Sequence, residues 1–113
     1  MKLVVVEAHR SNYPNPVRFR RGDRVTIGRR DEEFPGWIRV TTDAGIEGWA
    51  PEQYLDVSSG IAIASCEYEA TELNTEVGDN LEKLYELNDW VWVENEHGLR
   101  GWVPLQTLRA VAG

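Results

Sequence analysis

The chain has 113 residues, with 12 Lys and Arg against 19 Asp and Glu and a net charge of -7. That balance excludes nucleic acid and anionic membrane surfaces as expected partners, because phosphate recognition draws its affinity from clustered positive charge. One cysteine cannot build a disulfide framework, and the apolar run at the N-terminus stops at Glu7, too short for a secretory leader, so the expectation is a soluble, cytoplasmic protein.

In chain order, the first clear strand is Arg24-Val25-Thr26-Ile27, which follows the turn residues Gly22-Asp23 and alternates polar with apolar. Trp37-Ile38-Arg39-Val40-Thr41 alternates again. Asp43-Ala44-Gly45 is a hairpin turn, residues 46–50 form the return strand, and Pro51 ends it for want of an N–H. A short connector, Val57-Ser58-Ser59-Gly60, turns the chain without separating what it joins. Residues 81–85 and 90–94 then read as strands, Glu96-His97-Gly98 as a turn and residues 99–103 as the return. No segment keeps a helical period. The β-branched Val91, Val93, Ile38 and Val40 fit a small barrel interior, so Trp90, Trp92, Trp37 and Arg39 face outward, and the exposed tryptophans need something to cover them.

The chain repeats itself. Residues 37–55 and 90–108 align without a gap and share eight of 19 positions, including Trp37/Trp90, Gly48/Gly101, Trp49/Trp102 and Pro51/Pro104. Upstream, Gly22-Asp23 matches Gly78-Asp79. The unit of duplication is about 55 residues, which predicts two domains, 1–57 and 61–113. Charge divides with them. Residues 1–57 hold nine basic and nine acidic side chains; residues 58–113 hold three and ten, so the whole -7 falls in the second half. The predicted class is all-β, with two small barrels in tandem.

Tyr68 after Ala64, then Gly78-Asp79, Trp90, Gly101-Trp102-Val103-Pro104 and Leu108 form a pattern that resembles the Src-homology-3 (SH3) domain, in its bacterial variant form. Gly22-Asp23, Trp37, Gly48-Trp49-Ala50-Pro51 and Tyr54-Leu55 carry the same resemblance in the first half. The resemblance implies two SH3-like five-stranded barrels, no catalysis and no cofactor. It also implies an aromatic groove for an extended, Pro-rich or basic peptide, a ligand whose stiff conformation costs little ordering entropy on docking. One groove would use Trp37, Pro51 and Tyr54, with His9 where a Tyr is expected and Tyr13 as an alternative aromatic. The other would use Tyr68, Trp90 and Pro104, with Cys66 and Thr107 replacing two tyrosines. Acidic residues in the loop after the first strand select basic ligand residues in this family. Glu67, Glu69, Glu72 and Glu76 stand there in the second half, whereas Arg10, Arg18, Arg20 and Arg21 stand there in the first. Oppositely charged loops either attract each other or select different ligands.

The implied role is therefore a non-catalytic adaptor whose partner is a protein or peptide, basic for the second domain. The alternative is a structural or regulatory subunit whose aromatic faces are buried between modules or in an oligomer. Cys66 with His9 or His97 carries no catalytic signature, two His and one Cys at distant positions do not make a zinc spacing, and no Gly-rich phosphate loop is present.

Overall fold

The structure is a computed structural model that describes residues 1–11 and 14–111. The described residues form twelve strands and no α-helix. They are β1 (Lys2–Val5), β2 (Arg18–Phe19), β3 (Arg24–Arg30), β4 (Trp37–Thr42), β5 (Glu47–Pro51), β6 (Leu55–Ser58), β7 (Ile61–Ala64), β8 (Tyr68–Glu69), β9 (Asn80–Leu87), β10 (Trp90–Asn95), β11 (Arg100–Pro104) and β12 (Leu108–Ala110). Two five-stranded sheets have the orders β5-β4-β3-β7-β6 and β11-β10-β9-β1-β12, and β2 pairs with β8 in a small ribbon. All of these pairings are antiparallel. A single 3-10 turn follows β5 (Glu52–Tyr54) and another follows β11 (Leu105–Thr107). The class is all-β, in two small SH3-like barrels.

Sequence alternation becomes burial. Ile38, Val40, Val91 and Val93 are all inside, as their period of two requires. The first inward residue of the next strand of each barrel is a glycine. A Cβ on Gly48 would lie 2.6 Å from Cγ1 of Val17, and one on Gly101 would lie 2.9 Å from the backbone nitrogen of Leu73. The shared glycines therefore admit a segment of chain to the barrel interior. Alanine at either position is expected to cost about 1–3 kcal/mol in chemical denaturation. Shortening Val17 to Ala should recover part of the loss at Gly48. Shortening Leu73 should not fully recover Gly101→Ala, since there the obstacle is the backbone of Leu73 and Glu72 as well as the Leu73 side chain.

The order β3-β7-β6 holds the main departure from the sequence-based division. The barrel of the first repeat takes its opening strand not from β1 but from β7, beyond the connector. β1 instead lies between β9 and β12 and completes the barrel of the second repeat. Equivalent hydrogen bonds mark the exchange. The Gly22 and Gly78 amides, both at turns with φ near +90°, donate to the Ala64 and Val5 carbonyls respectively. The compact units are thus Asn15–Ala70, which is contiguous, and Met1–Pro14 with Thr71–Gly113, which is split. The boundaries 1–57 and 61–113 follow the repeat in the sequence; the compact units exchange their first strands across it.

The connector explains why. Val57 pairs with Ala62 and Ser58 with Ile61, so the turn between β6 and β7 is only Ser59-Gly60. Both have positive φ, 49° and 84°, as a two-residue hairpin requires. A link this short delivers the chain directly into the antiparallel neighbour of β6, which is where the barrel needs its opening strand. The charge step at Val57 disappears as a result. The contiguous unit holds seven basic and ten acidic residues (-3) and the split unit five and nine (-4).

A second two-residue turn, Asn88-Asp89, joins β9 to β10 with φ of 49° and 69°. The second position of such a turn favours glycine. Asp89→Gly is expected to stabilise the split unit by about 1 kcal/mol, seen as a rise in melting temperature.

Candidate functional site

In the contiguous unit, β8 brings Tyr68 against β2. Phe19 and Tyr68 are direct partners, with ring centroids 5.3 Å apart. Tyr54, on the 3-10 turn after β5, meets Tyr68 edge-on at 5.8 Å. The Tyr68 hydroxyl donates to the Trp49 carbonyl at 2.8 Å, which fixes the ring while leaving no buried hydroxyl unpaired. Trp37 opens β4 directly opposite Pro51 at the end of β5. Trp37, Pro51 and Tyr54 therefore share a barrel with Tyr68, although the sequence reading divided them between two grooves. The aromatic missing from the first repeat is supplied by the second. Trp37 was expected to face outward, but it is buried among the core residues, only 5% exposed. Tyr68 is 6% exposed, and Tyr54 is half-buried.

The equivalent place in the split unit is built differently. His9 occupies the position of Tyr68 and packs edge-on against Trp90 at 5.6 Å. Its Nε2 lies 2.7 Å from Oε1 of Glu72, and its backbone N–H donates to Thr75. Pro104 stands opposite Trp90. Thr107 takes the place of Tyr54, but its hydroxyl folds back onto the Pro104 carbonyl at 2.7 Å and is buried. Among the described residues this groove has one large aromatic, Trp90, where the other has several. Glu72 was expected beside Glu67 as a selector of basic ligand residues. Instead the exchange separates them: Glu72 is held by His9 in the split unit, and Glu67 is exposed in the contiguous unit. Tyr13 lies outside the described residues.

The loop arms of opposite sign pair with each other within each unit. Arg18 pairs with Glu69 at 4.0 Å across β2 and β8 in the contiguous unit. In the split unit Arg10 bonds Glu76 and donates to the Thr75 carbonyl.

Sequence reasoning missed Phe19, Trp49 and the pairing of His9 with Glu72. Trp49 carries two arginines: the guanidinium carbons of Arg29 and Arg39 lie 5.2 and 5.5 Å from its ring. In the split unit the corresponding face carries Tyr85, Trp92 and Trp102. Trp102 meets Trp92 at 5.4 Å and Tyr85 at 5.5 Å. The signal for both clusters was the hairpin register, which sets Arg39 opposite Trp49 and Trp92 opposite Trp102.

Cys66 is partly buried, and burial pushes its thiol above the usual range. A raised value means less thiolate at neutral pH. Alkylation of Cys66 is accordingly expected to run several-fold slower than that of an unstructured cysteine peptide, with the difference vanishing on denaturation.

A small all-β barrel that carries Tyr68 on β8, Trp37 at the start of β4 and Tyr54 on the 3-10 turn has the features of an SH3-type module. The chain belongs to the variant SH3 domain family, whose model matches residues 2–58, just over half of its length. That match follows the order of the first repeat in the sequence. No curated protein and no solved structure matches the chain. Domains of this family mediate protein–protein contacts, which supports a binding role for the chain. No helix among the described residues is long and apolar enough to cross a membrane.

Proposed function

We propose that the protein is a non-catalytic adaptor that takes an extended, Pro-rich and basic peptide segment in the groove of the contiguous unit. The observation that carries this reading is the union of Tyr68, Tyr54, Trp37 and Pro51 in one barrel, an aromatic set that neither repeat holds alone. Flat aromatic walls suit a polyproline II segment, which binds with little loss of chain entropy. Glu67, exposed beside Tyr68, supports a basic residue in the ligand, as does the net charge of the unit. The split unit, with Thr107 folded away and Glu72 engaged by His9, is the weaker binder.

Titrating the labelled protein with a Pro-rich peptide bearing one arginine tests this. Shifts should concentrate at Tyr54, Tyr68 and Trp37 and disappear in Tyr54→Ala. Shifts confined to Trp90 and Pro104, or none at either groove, refute the reading.

The low exposure of Trp37 and Trp102 (2%) favours a second reading, a structural or regulatory subunit with covered aromatic faces. Protection of tryptophan fluorescence from acrylamide quenching in the free protein, with no peptide-induced shift at either groove, would support it.

A further inference from the structure

The two strands that open the repeats are interchangeable in shape. β1 turns Leu3 and Val5 inward, and β7 turns Ala62 and Ala64 inward. Their registers equate Val5 with Ala64 and Leu108 with Leu55. A chain assembled in sequence order would pair Val5 with Leu55 and Ala64 with Leu108.

The loop arms are not interchangeable. Arg10 follows β1, and Arg18, Arg20 and Arg21 precede β3. Glu67 and Glu69 follow β7, and Glu72 and Glu76 precede β9. In the exchanged arrangement each loop joins a basic arm to an acidic one, through Arg10 with Glu76 and Arg18 with Glu69. In sequence order both arms of one loop would be basic and both arms of the other acidic.

We propose that these blocks of like charge select the exchanged arrangement, by setting like charges side by side in the sequence-ordered alternative. One exposed ion pair contributes little. The selection acts because the alternative turns attraction into repulsion in both loops at once. It has a consequence for the groove, since sequence order would put His9 in the place of Tyr68 beside Tyr54.

The two-residue turn between β6 and β7 also favours exchange, so the test relaxes it. The full chain is made with a flexible Gly/Ser insertion between Ser59 and Gly60, which opens both arrangements sterically. Nuclear Overhauser contacts between Hα protons of facing residues then report the pairing: Val5 with Leu108 when exchanged, Val5 with Leu55 in sequence order. With native charges the inserted chain should show the Val5–Leu108 contact. R10E/E69R preserves composition and net charge but places like charges together in both exchanged loops. It should move the population ratio toward Val5–Leu55 by roughly tenfold or more. R18E/E76R should do the same through the other arms, which covers failure of the first variant to fold. Combining all four substitutions should restore Val5–Leu108. Retention of Val5–Leu108 in both double variants overturns the proposal, as does a Val5–Leu55 contact in the inserted chain with native charges.

Discussion

Replacing Tyr68 by Ala is expected to melt the contiguous unit while leaving the sheet around Trp90 in place. Tyr68 is buried, packs on Phe19 and Tyr54, and donates to the Trp49 carbonyl. Truncating a buried aromatic side chain costs about 3–5 kcal/mol. A unit of this size has a total stability of only about 3–8 kcal/mol. The loss is therefore comparable with everything that holds the unit folded. The five tryptophans divide conveniently for the measurement: Trp37 and Trp49 lie in the contiguous unit, Trp90, Trp92 and Trp102 in the split one. In Tyr68→Ala the indole N–H signals of Trp37 and Trp49 should collapse toward unfolded positions while the other three persist. The opposite pattern would assign Tyr68 to the second repeat, as its sequence position suggests, and would contradict the exchange. Tyr68→Phe keeps the ring and loses one hydrogen bond, so it should cost only about 1 kcal/mol.

The second large effect concerns excision. The fragment Asn15–Ala70 contains every strand of its sheet and the β2–β8 ribbon. It should melt cooperatively on its own. The fragment 1–57, cut at the boundary the repeat suggests, must use β1 where β7 belongs. It would place His9 in the Tyr68 site and Arg10 near Arg18, and it forfeits the Tyr54–Tyr68 contact. Losing an aromatic core contact costs about 3–5 kcal/mol, enough to leave 1–57 without a cooperative transition. Circular dichroism melts of the two fragments decide the point. Equal stability would mean that β1 and β7 serve the first barrel equally well.

Much of the fold was legible because it is written locally. The alternation in Trp90-Val91-Trp92-Val93 specifies which face is inside, and that face is indeed fully buried. Gly22-Asp23 and Gly78-Asp79 mark turns for a clear reason: each glycine takes positive φ, and each aspartate accepts a bond from the amide three residues earlier. Strand partnership was not legible in the same way. β1 and β7 are both short, apolar and alternating, so nothing in either one states which barrel it joins. That choice depends on residues far away in sequence. Two local features did bear on it: the two-residue connector, too short to begin a separate barrel, and the opposite signs of the loop arms. The candidate site inherited the same ambiguity. Trp37, Pro51 and Tyr54 were legible as a set, but their fourth member was assigned to the wrong neighbours because Tyr68 follows the connector. Glu72 was expected to be a groove acid, but its bond to His9 depends on a pairing 63 residues apart.

The turn at Ser59-Gly60 has one more consequence. Because it lies at the midpoint of the exchange, a single cut of the peptide bond between these residues would leave neither half with a complete sheet. The piece 1–59 would carry β1 with no β9 or β12 to receive it, and the piece 60–113 would carry β7 with no β3 or β6. Each would be an obligate complement of the other. The protein is in this sense a pair of interlocked halves kept at matched stoichiometry by two residues of backbone, and a protease acting at that turn would convert an intramolecular fold into a bimolecular one.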